Sequence, residues 1–198
     1  MKKIVIATKN AGKVREMKDA FAHLPVEVVA LSEFGQLPNA IEDGETFAEN
    51  AAIKARFYQE KTGCACLADD SGLCVDALDG APGVYSARFA PNRDFDKGMD
   101  LLLAEMDKSS NKSRKAHFSC VISLAFPGGE YKLFEGRVNG QIATHKMLGD
   151  FGFGYDPLFI PNGYDCSFAQ MDKAQKNSLS HRGKAMKKLK EYLINRSK

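Results

Sequence analysis

The stretch IVIATKNAGKVREM, residues 4–17, indicates the fold class of this chain. Its apolar start, residues 4–7, is typical of a buried β-strand, and the helical spacing of the later apolar residues predicts a helix over residues 13–24. The small and polar residues between them are arranged like a phosphate-binding loop. A Walker loop, however, has glycine where this chain has Ala7, and serine or threonine where it has Val14. Three interpretations stay open: an altered Walker loop, a different phosphate site, or an ordinary turn from strand to helix.

The alternation of strands and helices continues beyond this stretch. A second strand is predicted over residues 26–31, a capped helix over residues 46–63 and a third strand over residues 64–68. Another helix follows around residues 101–106, then a hairpin over residues 116–140 and a last helix from residue 180 onward. The turn-forming sequence DDSG at residues 69–72 is expected to end the third strand. Strands alternating with helices, plus one hairpin, predict an α/β fold with a mixed sheet, in a single domain over residues 1–198.

Composition and charge set few limits on function. The chain has 198 residues, of which 44% are hydrophobic and 27% charged, and its net charge of +3 neither demands nor excludes a polyanionic partner. The basic residues near the C-terminus also suit the dipole at a helix end. Five cysteines without a CxxC pair indicate a reduced intracellular compartment. Because no apolar run is long enough for a signal peptide or a membrane span, we expect a cytoplasmic protein.

Acidic residues are the first candidates for chemistry. Asp69 and Asp70 end the third predicted strand, and strand ends of open α/β sheets face the ligand crevice. Successive residues of an extended chain point to opposite sides, so the two carboxylates should have different roles. One of them suits magnesium, although Asp also opens ordinary β-turns. The loop residues Glu42, Asp43 and Glu45 matter only if the fold carries them to Asp70, where they would complete a metal site.

Basic and aromatic residues supply further candidates later in the chain. His181, Arg182 and Lys184 stand at a predicted helix start, where an anion would relieve the cost of cations beside free backbone N–H groups. A solvated basic turn is the alternative. Phe153 and Tyr155 lie between glycines and suit either stacking on a base or packing in the core. Together with the acids and with the cations and amides of the first loop, these residues point to a nucleotide and magnesium.

Five blocks of the sequence, in this order, resemble the inosine triphosphate pyrophosphatases, also called the Ham1-like family of noncanonical purine nucleoside triphosphate pyrophosphatases. They are TKNAGKVREM (8–17), ETFAENAAIKA (45–55), ADDSGLCVDALDGAPGVYSARFA (68–90), FGFGYDPLF (151–159) and SLSHRGKA (178–185). The blocks span nearly the whole chain, and ADDSGL and SHRG follow the form of the bacterial branch. Lys9 and Cys74 stand where glycine and alanine are common in the family, and neither position carries the chemistry.

The resemblance implies a long, twisted mixed β-sheet with flanking helices, forming two lobes around a central cleft. It also implies a homodimer that uses magnesium to hydrolyse ITP, dITP and XTP to the monophosphate and pyrophosphate. We expect no nucleic-acid partner, because acids in a binding groove would repel a phosphate backbone. We also expect no membrane partner, because no apolar run approaches the length of a membrane span. Selectivity against adenine is expected from donors that pair with the C6 oxygen of hypoxanthine or xanthine, supplied by His181, Arg182 or backbone N–H groups.

The same resemblance implies roles for individual residues. Asp70 is expected to accept the proton of the attacking water and to bind the metal together with Glu42. Ser71 is expected to contact the substrate. For Asp69, which the resemblance does not assign, we expect a supporting role, orienting Lys13 or holding a second ion. The expected triphosphate ligands are Thr8, Lys9, Asn10, Ala11, Gly12 and Lys13. The expected contacts of the base and sugar are Phe153, Gly154, Tyr155, Asp156, Lys176, His181 and Arg182.

Three other functions stay open on the sequence. A pyrophosphatase of similar architecture, as Maf-like proteins are, would prefer pyrimidine or modified nucleotides. A nucleic-acid-binding protein would use the basic tail and the aromatic loop, and it would leave Glu42, Asp69 and Asp70 without a purpose. A phosphatase that forms an aspartyl-phosphate would release orthophosphate instead of pyrophosphate.

Overall fold

The computed structural model describes residues 3–8, 11–22, 24 and 26–196. Within these residues the β-strands are β1 (Lys3–Ile6), β2 (Glu27–Ala30), β3 (Ala65–Val75), β4 (Lys115–Ala125), β5 (Tyr131–Ile142) and β6 (Phe159–Pro161). The α-helices are α1 (Ala11–Phe21), α2 (Phe47–Thr62), α3 (Phe95–Lys108), α4 (Lys173–Leu179) and α5 (His181–Arg196). Short 3₁₀ helices occupy Leu31–Phe34, Asp76–Leu78, Gly83–Arg88, Pro91–Arg93 and Asp156–Leu158.

The described strands form one sheet in the order β2-β1-β3-β4-β5-β6. β1 runs parallel to both of its neighbours, β2 and β3, with Ile4 opposite Val28 on one side and Ala65 on the other. β6 runs antiparallel to β5. The predicted hairpin turn at residues 127–129 joins β4 to β5. The sheet is therefore mixed, which confirms the predicted α/β fold class.

The chain divides into two compact units, each with a hydrophobic core of its own. Unit 1 comprises Met1–Asp70, Val121–Glu135 and Ala185–Lys198, and its core is built from side chains of β1, β2, β3 and α2. Unit 2 comprises Ser71–Cys120 and Gly136–Lys184, and its core is built largely from β3, β4, β5 and α3. The expected single domain with a central cleft stays a prediction.

Strand β3 differs from its prediction in a way that matters for the site. The sequence predicts a strand that stops before a turn at residues 69–72, but β3 continues through this segment to Val75. The chain turns instead beyond the end of β3, where Asp79 and Gly80 adopt positive φ angles of 51° and 89°. Pairing within the sheet thus overrides the local turn preference of DDSG. The interpretation of Asp69 and Asp70 as β-turn openers is wrong.

Helix α2 follows its sequence signals. The Thr46 side chain accepts a hydrogen bond from the Glu49 N–H, and the Glu49 carboxylate accepts one from the Thr46 N–H, which together form the predicted capping box. At the other end Gly63 adopts the left-handed conformation, with φ at 65°. Ala55 and Tyr58 are buried in the core of unit 1. These contacts fix the direction in which α2 presents its remaining side chains.

The other predicted elements are confirmed with small shifts. α1 begins two residues before its predicted start and ends at Phe21, and the final helix begins at His181. α4 is not predicted from the sequence; its N-cap Asp172 accepts a hydrogen bond from the Gln175 N–H at 2.8 Å. The five cysteines are free. Of the helices that the structure describes, none is both long and apolar enough to cross a membrane.

Candidate active site

The two acids of β3 have separate surroundings within unit 1. Asp69 is 2% exposed, and both of its carboxylate oxygens accept hydrogen bonds from the Lys13 Nζ, at 3.0 and 2.8 Å. Lys13 is the third residue of α1, which follows β1 through the loop that contains Thr8. The structure therefore brings Asp69 to Lys13, the arrangement that the orienting role of Asp69 requires.

Asp70 has a different environment. Its Oδ2 atom is buried and receives no hydrogen bond from the residues that the structure describes. Burial raises the pKa of the Asp70 carboxyl from 3.8 to about 6; Lys54 opposes the rise, the charges of Glu42 and Asp69 add to it, and a hydrogen bond from Asn50 opposes it. The ionised form of Asp70 is therefore destabilised, so this carboxylate is suited to accept either a proton or a cation.

Lys54 of α2 connects the acids of unit 1. Its Nζ lies 2.5 Å from Glu42 Oε2 and donates to the Asp69 carbonyl oxygen at 3.1 Å. Burial lowers the pKa of Lys54, but the negative charges of Asp69, Glu42 and Asp70 outweigh it, so the pKa is raised. Lys54 is thus a stable ammonium ion in contact with acids of two different segments. Glu42, Lys54, Asp69 and Asp70 are called the carboxylate–lysine cluster below.

The predicted site residues leave out two members of this region, Lys54 and Asn50. Asn50 is 2% exposed and binds the Gly44 backbone twice, accepting from its N–H at 2.9 Å and donating to its carbonyl at 3.3 Å. These bonds fix the loop that carries Glu42. The available sequence signal was the spacing of Thr46, Asn50 and Lys54, four residues apart on one stripe of a capped helix.

A hard divalent cation fits the oxygen donors of the cluster. The buried Oδ2 of Asp70 and the carboxylate of Glu42 are the type of ligand that such ions prefer. The described residues contain no group of three or more His, Cys, Asp or Glu side chains that could hold a metal ion. An ion held by one or two carboxylates and otherwise by water and substrate oxygens is compatible with that finding.

In unit 2, Ser71 and the start of α5 are in contact. The Arg182 guanidinium donates from Nη2 to the Ser71 hydroxyl at 3.2 Å. The His181 ring is 7% exposed and is stacked on Phe118, with ring centroids 4.8 Å apart and planes 11° apart. Phe118 therefore fixes the His181 ring on β4, and the hydrogen bond to Ser71 orients Arg182.

Asp156 organises the second group of predicted base and sugar contacts. Its carboxylate is almost fully buried, accepts a hydrogen bond from the Phe153 N–H at 2.5 Å, and forms an ion pair with Lys176 of α4. Gly154, between them, has φ at 65°, a backbone conformation that favours glycine. One carboxylate thus connects the glycine-rich loop to α4.

The aromatic residues of this loop differ in their surroundings: one packs in the core, and the others are exposed and could stack on a base. Tyr155 is 2% exposed, donates from its hydroxyl to the Ser86 carbonyl at 3.1 Å, and burial raises its pKa to about 12. Its side chain is a core side chain. Phe151 and Phe153 are 51% and 59% exposed, so their rings remain accessible to a ligand.

The remaining predicted site residues belong to the first loop. Lys9 and Asn10 lie outside the residues that the structure describes. Ala11 and Gly12 are the first two residues of α1, where backbone N–H groups have no partner within the helix. The predicted triphosphate ligands and metal ligands that are described belong to unit 1, and the predicted base and sugar contacts to unit 2.

The mixed sheet defines an α/β protein, and the carboxylate–lysine cluster supplies acidic and basic side chains of the kind that hydrolases use. The family model described as the Ham1 family matches residues 4–192. The chain belongs to the Ham1 family.

Sequence relatives and solved structures agree with this assignment. A dITP/XTP pyrophosphatase of Zymomonas mobilis is 48% identical over 189 residues, which are 94% of this chain and 90% of the relative. One of Oceanobacillus iheyensis is 45% identical over 195 residues, 98% of each chain. The structure of a HAM1 protein from Coxiella burnetii is 37% identical and has a TM-score of 0.92, with 98% of this chain and 100% of that chain covered.

Proposed function

We propose that this protein hydrolyses the noncanonical purine nucleoside triphosphates ITP, dITP and XTP to the monophosphate and pyrophosphate. The observation that carries the proposal is the buried Asp70 carboxylate, whose pKa is raised to about 6 and which lies among Glu42, Lys54 and Asp69. A proton acceptor held in this way suits activation of water. The names of the relatives, dITP/XTP pyrophosphatases, supply the substrate class.

The phosphate end of the substrate is proposed to bind at the first loop and the start of α1. Lys13 provides a charge that its ion pair with Asp69 holds in place. The N–H groups of Ala11 and Gly12 lie at the positive end of the helix dipole, where anions bind favourably. Thr8, together with Lys9 and Asn10, completes the proposed triphosphate ligands.

The proposed reaction is attack of a water molecule on the α-phosphorus. The new P–O bond forms as the bond to the bridging oxygen of the leaving pyrophosphate breaks, and the electron pair stays on that oxygen. Asp70 accepts the proton of the attacking water. Lys13 stabilises charge that develops on the phosphates, and Lys54 holds Glu42 in position.

Magnesium is the proposed cofactor, bound by Glu42 and Asp70. The bare Oδ2 of Asp70 and the carboxylate of Glu42 fit a hard cation that takes few protein carboxylates. When bound, the ion supplies Lewis-acid stabilisation of phosphate charge. The contacts of Lys54 and Asn50 in the protein itself keep the two carboxylate-bearing segments in place for it.

The base and sugar are proposed to bind residues of unit 2. The exposed Phe153 ring offers a face for stacking. Arg182 and His181, fixed by Ser71 and Phe118, supply donors for the C6 oxygen of hypoxanthine or xanthine. Against the amine of adenine these donors would be left unmatched, at a cost of about 1–3 kcal/mol for each buried group. The remaining proposed base and sugar contacts are Gly154, the backbone of Tyr155, Asp156 and Lys176, with Ser71 touching the substrate.

Two broader properties are part of the proposal. The protein is a homodimer, as the family resemblance implies, and it acts in the cytoplasm. Sedimentation equilibrium tests the first: a dimer has twice the chain mass of 21.7 kDa, and a single species at the chain mass would reject it.

A product assay on ITP tests the function. Purified protein with magnesium is expected to convert ITP to IMP and pyrophosphate, and to turn over ATP far more slowly. The panel includes dITP, XTP, GTP, CTP and UTP. Preference for a pyrimidine nucleotide would favour a Maf-like activity, equal rates on ATP and ITP would reject the selectivity, and release of orthophosphate would reject the reaction.

A further inference from the structure

The N-terminal half of α3 contacts the glycine-rich loop that carries Phe153. Residues 146–155, here called the base loop, contain neither helix nor strand. The Phe95 ring packs edge-to-face against Phe153, with centroids 4.9 Å apart, and against Tyr155, at 5.8 Å. Both distances lie in the range of favourable aromatic pairs. Phe95 is thus the side chain on which two of the three aromatic rings of the loop converge.

The second contact is between Gly98 of α3 and Tyr155, and it is possible because glycine has no side chain. A Cβ atom at this position would lie only 3.0 Å from the Tyr155 hydroxyl oxygen. Without it, the hydroxyl approaches α3 and donates to the Ser86 carbonyl. Gly98 therefore lets Tyr155, at the end of the base loop, pack against the helix.

A third contact is electrostatic and involves the start of the base loop. The Lys146 Nζ lies 2.7 Å from Asp96 and 2.7 Å from Asp100, one helical turn apart on α3. The Lys146 side chain is 21% exposed, whereas the two carboxylates are 73% and 65% exposed. The ion pairs therefore tie the loop to the helix where salt can screen them. Phe95, Asp96, Gly98 and Asp100 together are called the α3 platform.

The Phe153 ring depends on such contacts for its position. It is 59% exposed, and its neighbours Gly152 and Gly154, with φ angles of 144° and 65°, have no Cβ atom, so many other backbone conformations are open to them. The Asp156 carboxylate fixes the Phe153 N–H but not its side chain. Phe95 contacts the ring itself, so the orientation of the stacking face follows from the helix.

We propose that the α3 platform sets the affinity of the protein for the nucleobase by holding the Phe153 ring in stacking orientation. This inference rests on the proposed function. Phe95 acts on Phe153 directly and Lys146 acts through the base loop, so both are positioning residues. Their loss weakens recognition of the base and leaves recognition of the triphosphate unchanged.

The mobility of the base loop can be measured with a tryptophan in place of Phe153. The chain has no tryptophan, so Phe153→Trp creates a single reporter. In this background Phe95→Leu and Lys146→Met are expected to lower the fluorescence anisotropy and to increase quenching by acrylamide. Leu101→Ala and Lys108→Met are the controls, because they remove an exposed apolar side chain and an exposed ion pair from the same helix. Added salt should lower the anisotropy of the reporter protein, but not that of its Lys146→Met variant.

Kinetics of the same substitutions, with Phe153 retained, test the consequence for the base. Phe95→Leu and Lys146→Met are expected to raise KM for ITP about fivefold, the scale set by a weakened base–aromatic stack. The kcat and the Ki of inorganic triphosphate, a competitor without a base, are expected to stay within about twofold. Lys146→Arg should restore KM, because arginine also pairs with both carboxylates.

The outcomes separate this inference from the function on which it rests. Unchanged anisotropy in both platform variants would overturn it, and so would a mobile loop with an unchanged KM. Equal losses for ITP and inorganic triphosphate would reveal a general structural defect and overturn it as well. If the unaltered protein fails to hydrolyse ITP, the proposed function falls, and the anisotropy comparison still decides whether α3 holds the loop.

Discussion

Asp69 and Asp70 are consecutive on β3, yet their carboxylates meet different partners because successive side chains of a strand point to opposite faces. Asp69 accepts two hydrogen bonds from the Lys13 ammonium, whereas Asp70 retains a buried oxygen without one among the described residues. The strand thus gives two carboxylates different surroundings without any change in residue type, as the proposed supporting role of Asp69 and reactive role of Asp70 require.

Asp70→Asn is expected to reduce hydrolysis of ITP by roughly 100-fold or more, because the amide cannot accept the proton of the attacking water. The measurement is pyrophosphate release under saturating magnesium. Asp107→Asn, an exposed acid on α3, is the matched control and should keep full activity. A substantial remaining rate in Asp70→Asn would place the proton acceptor elsewhere.

The same substitution is expected to stabilise the metal-free protein at neutral and alkaline pH. Burial on folding raises the pKa of Asp70 from 3.8 to about 6; the charge of Lys54 opposes this rise, and the charges of Glu42 and Asp69 add to it. Above pH 6 the folded protein must ionise this group at a cost, which Asn removes. We expect a gain of about 2 kcal/mol at pH 8, after allowance for partial exposure.

That gain should fade as the pH falls from 6 to 4, where the wild-type carboxyl becomes protonated in the folded state. Urea unfolding at several pH values, with a chelator present, measures it. A difference between Asp70→Asn and wild type that does not change with pH would contradict the assigned shift.

Lys54→Met is expected to destabilise the protein by about 1–2 kcal/mol, since it keeps the length of the side chain but leaves Glu42 and the Asp69 carbonyl without their donor. Urea unfolding measures the loss. Lys108→Met, which removes an exposed ion pair with Glu105, should change stability by less than about 0.5 kcal/mol. Equal effects of the two substitutions would mean that Lys54 is no more than a surface cation.

At the scale of elements, α2 connects the capping signal to the site. Thr46→Ala removes the hydrogen bond to the Glu49 N–H and is expected to cost about 1 kcal/mol in the free energy of unfolding. Thr46→Ser keeps the hydroxyl oxygen and should restore most of it. Because the first turns of α2 lead to Asn50 and Lys54, Thr46→Ala should also lower the rate on ITP. No change in stability would show that the Asn50–Gly44 contacts suffice to start the helix.

Helix α5 begins under a tight steric constraint at Gly183. A Cβ atom there would lie 1.8 Å from the Asn177 carbonyl oxygen of α4. Gly183→Ala must therefore displace either the start of α5 or the end of α4. We expect a loss of about 1–3 kcal/mol in unfolding free energy, and a raised KM for ITP because His181 and Arg182 move. Lys187→Ala, on the exposed side of α5, should remain within about 0.5 kcal/mol of wild type. Equal free energies of unfolding for Gly183→Ala and Lys187→Ala would mean that α4 and α5 can move apart without a loss of stability.

The elements that the sequence predicts best are those with local signals. Thr46, Glu49 and Gly63 define both ends of α2 through contacts within a few residues. β3 is predicted to stop too early because residues 69–72 prefer a turn locally, and only pairing with neighbouring strands keeps them extended. α4 has only seven residues and a single Asp172 cap, which is too short for a periodic pattern.

At the scale of the molecule, the sequence proposes site residues by resemblance but does not predict the contacts among them. Asp70 and Glu42 are expected from matching blocks of sequence, yet nothing local places Lys54 between the loop and the strand. A lysine on a helix is usually solvated, and its role here depends on contacts with two segments 12 and 15 residues away. Lys9 and Asn10 stay predictions.

Removal of the metal is a prediction about the whole enzyme. A chelator is expected to stop hydrolysis of ITP, and excess magnesium to restore it, because phosphate charge is otherwise balanced only by lysines and amides. Magnesium should also raise the Tm of the wild type, since it compensates the carboxylates of Glu42 and Asp70, and it should raise that of Asp70→Asn less. Hydrolysis that is indifferent to the chelator would reject the metal role.

The continuity of β3 has a consequence for how this family can change over time. Because the alternation of side chains along the strand decides which of the two carboxylates faces Lys13, inserting or deleting one residue between Ala65 and Asp69 would move the Asp69 carboxylate to the opposite face. An insertion or deletion in β3 would therefore abolish activity, whereas one of the same length in a loop would be tolerated. Homologous chains should therefore align across this strand without a gap, however far their sequences have diverged.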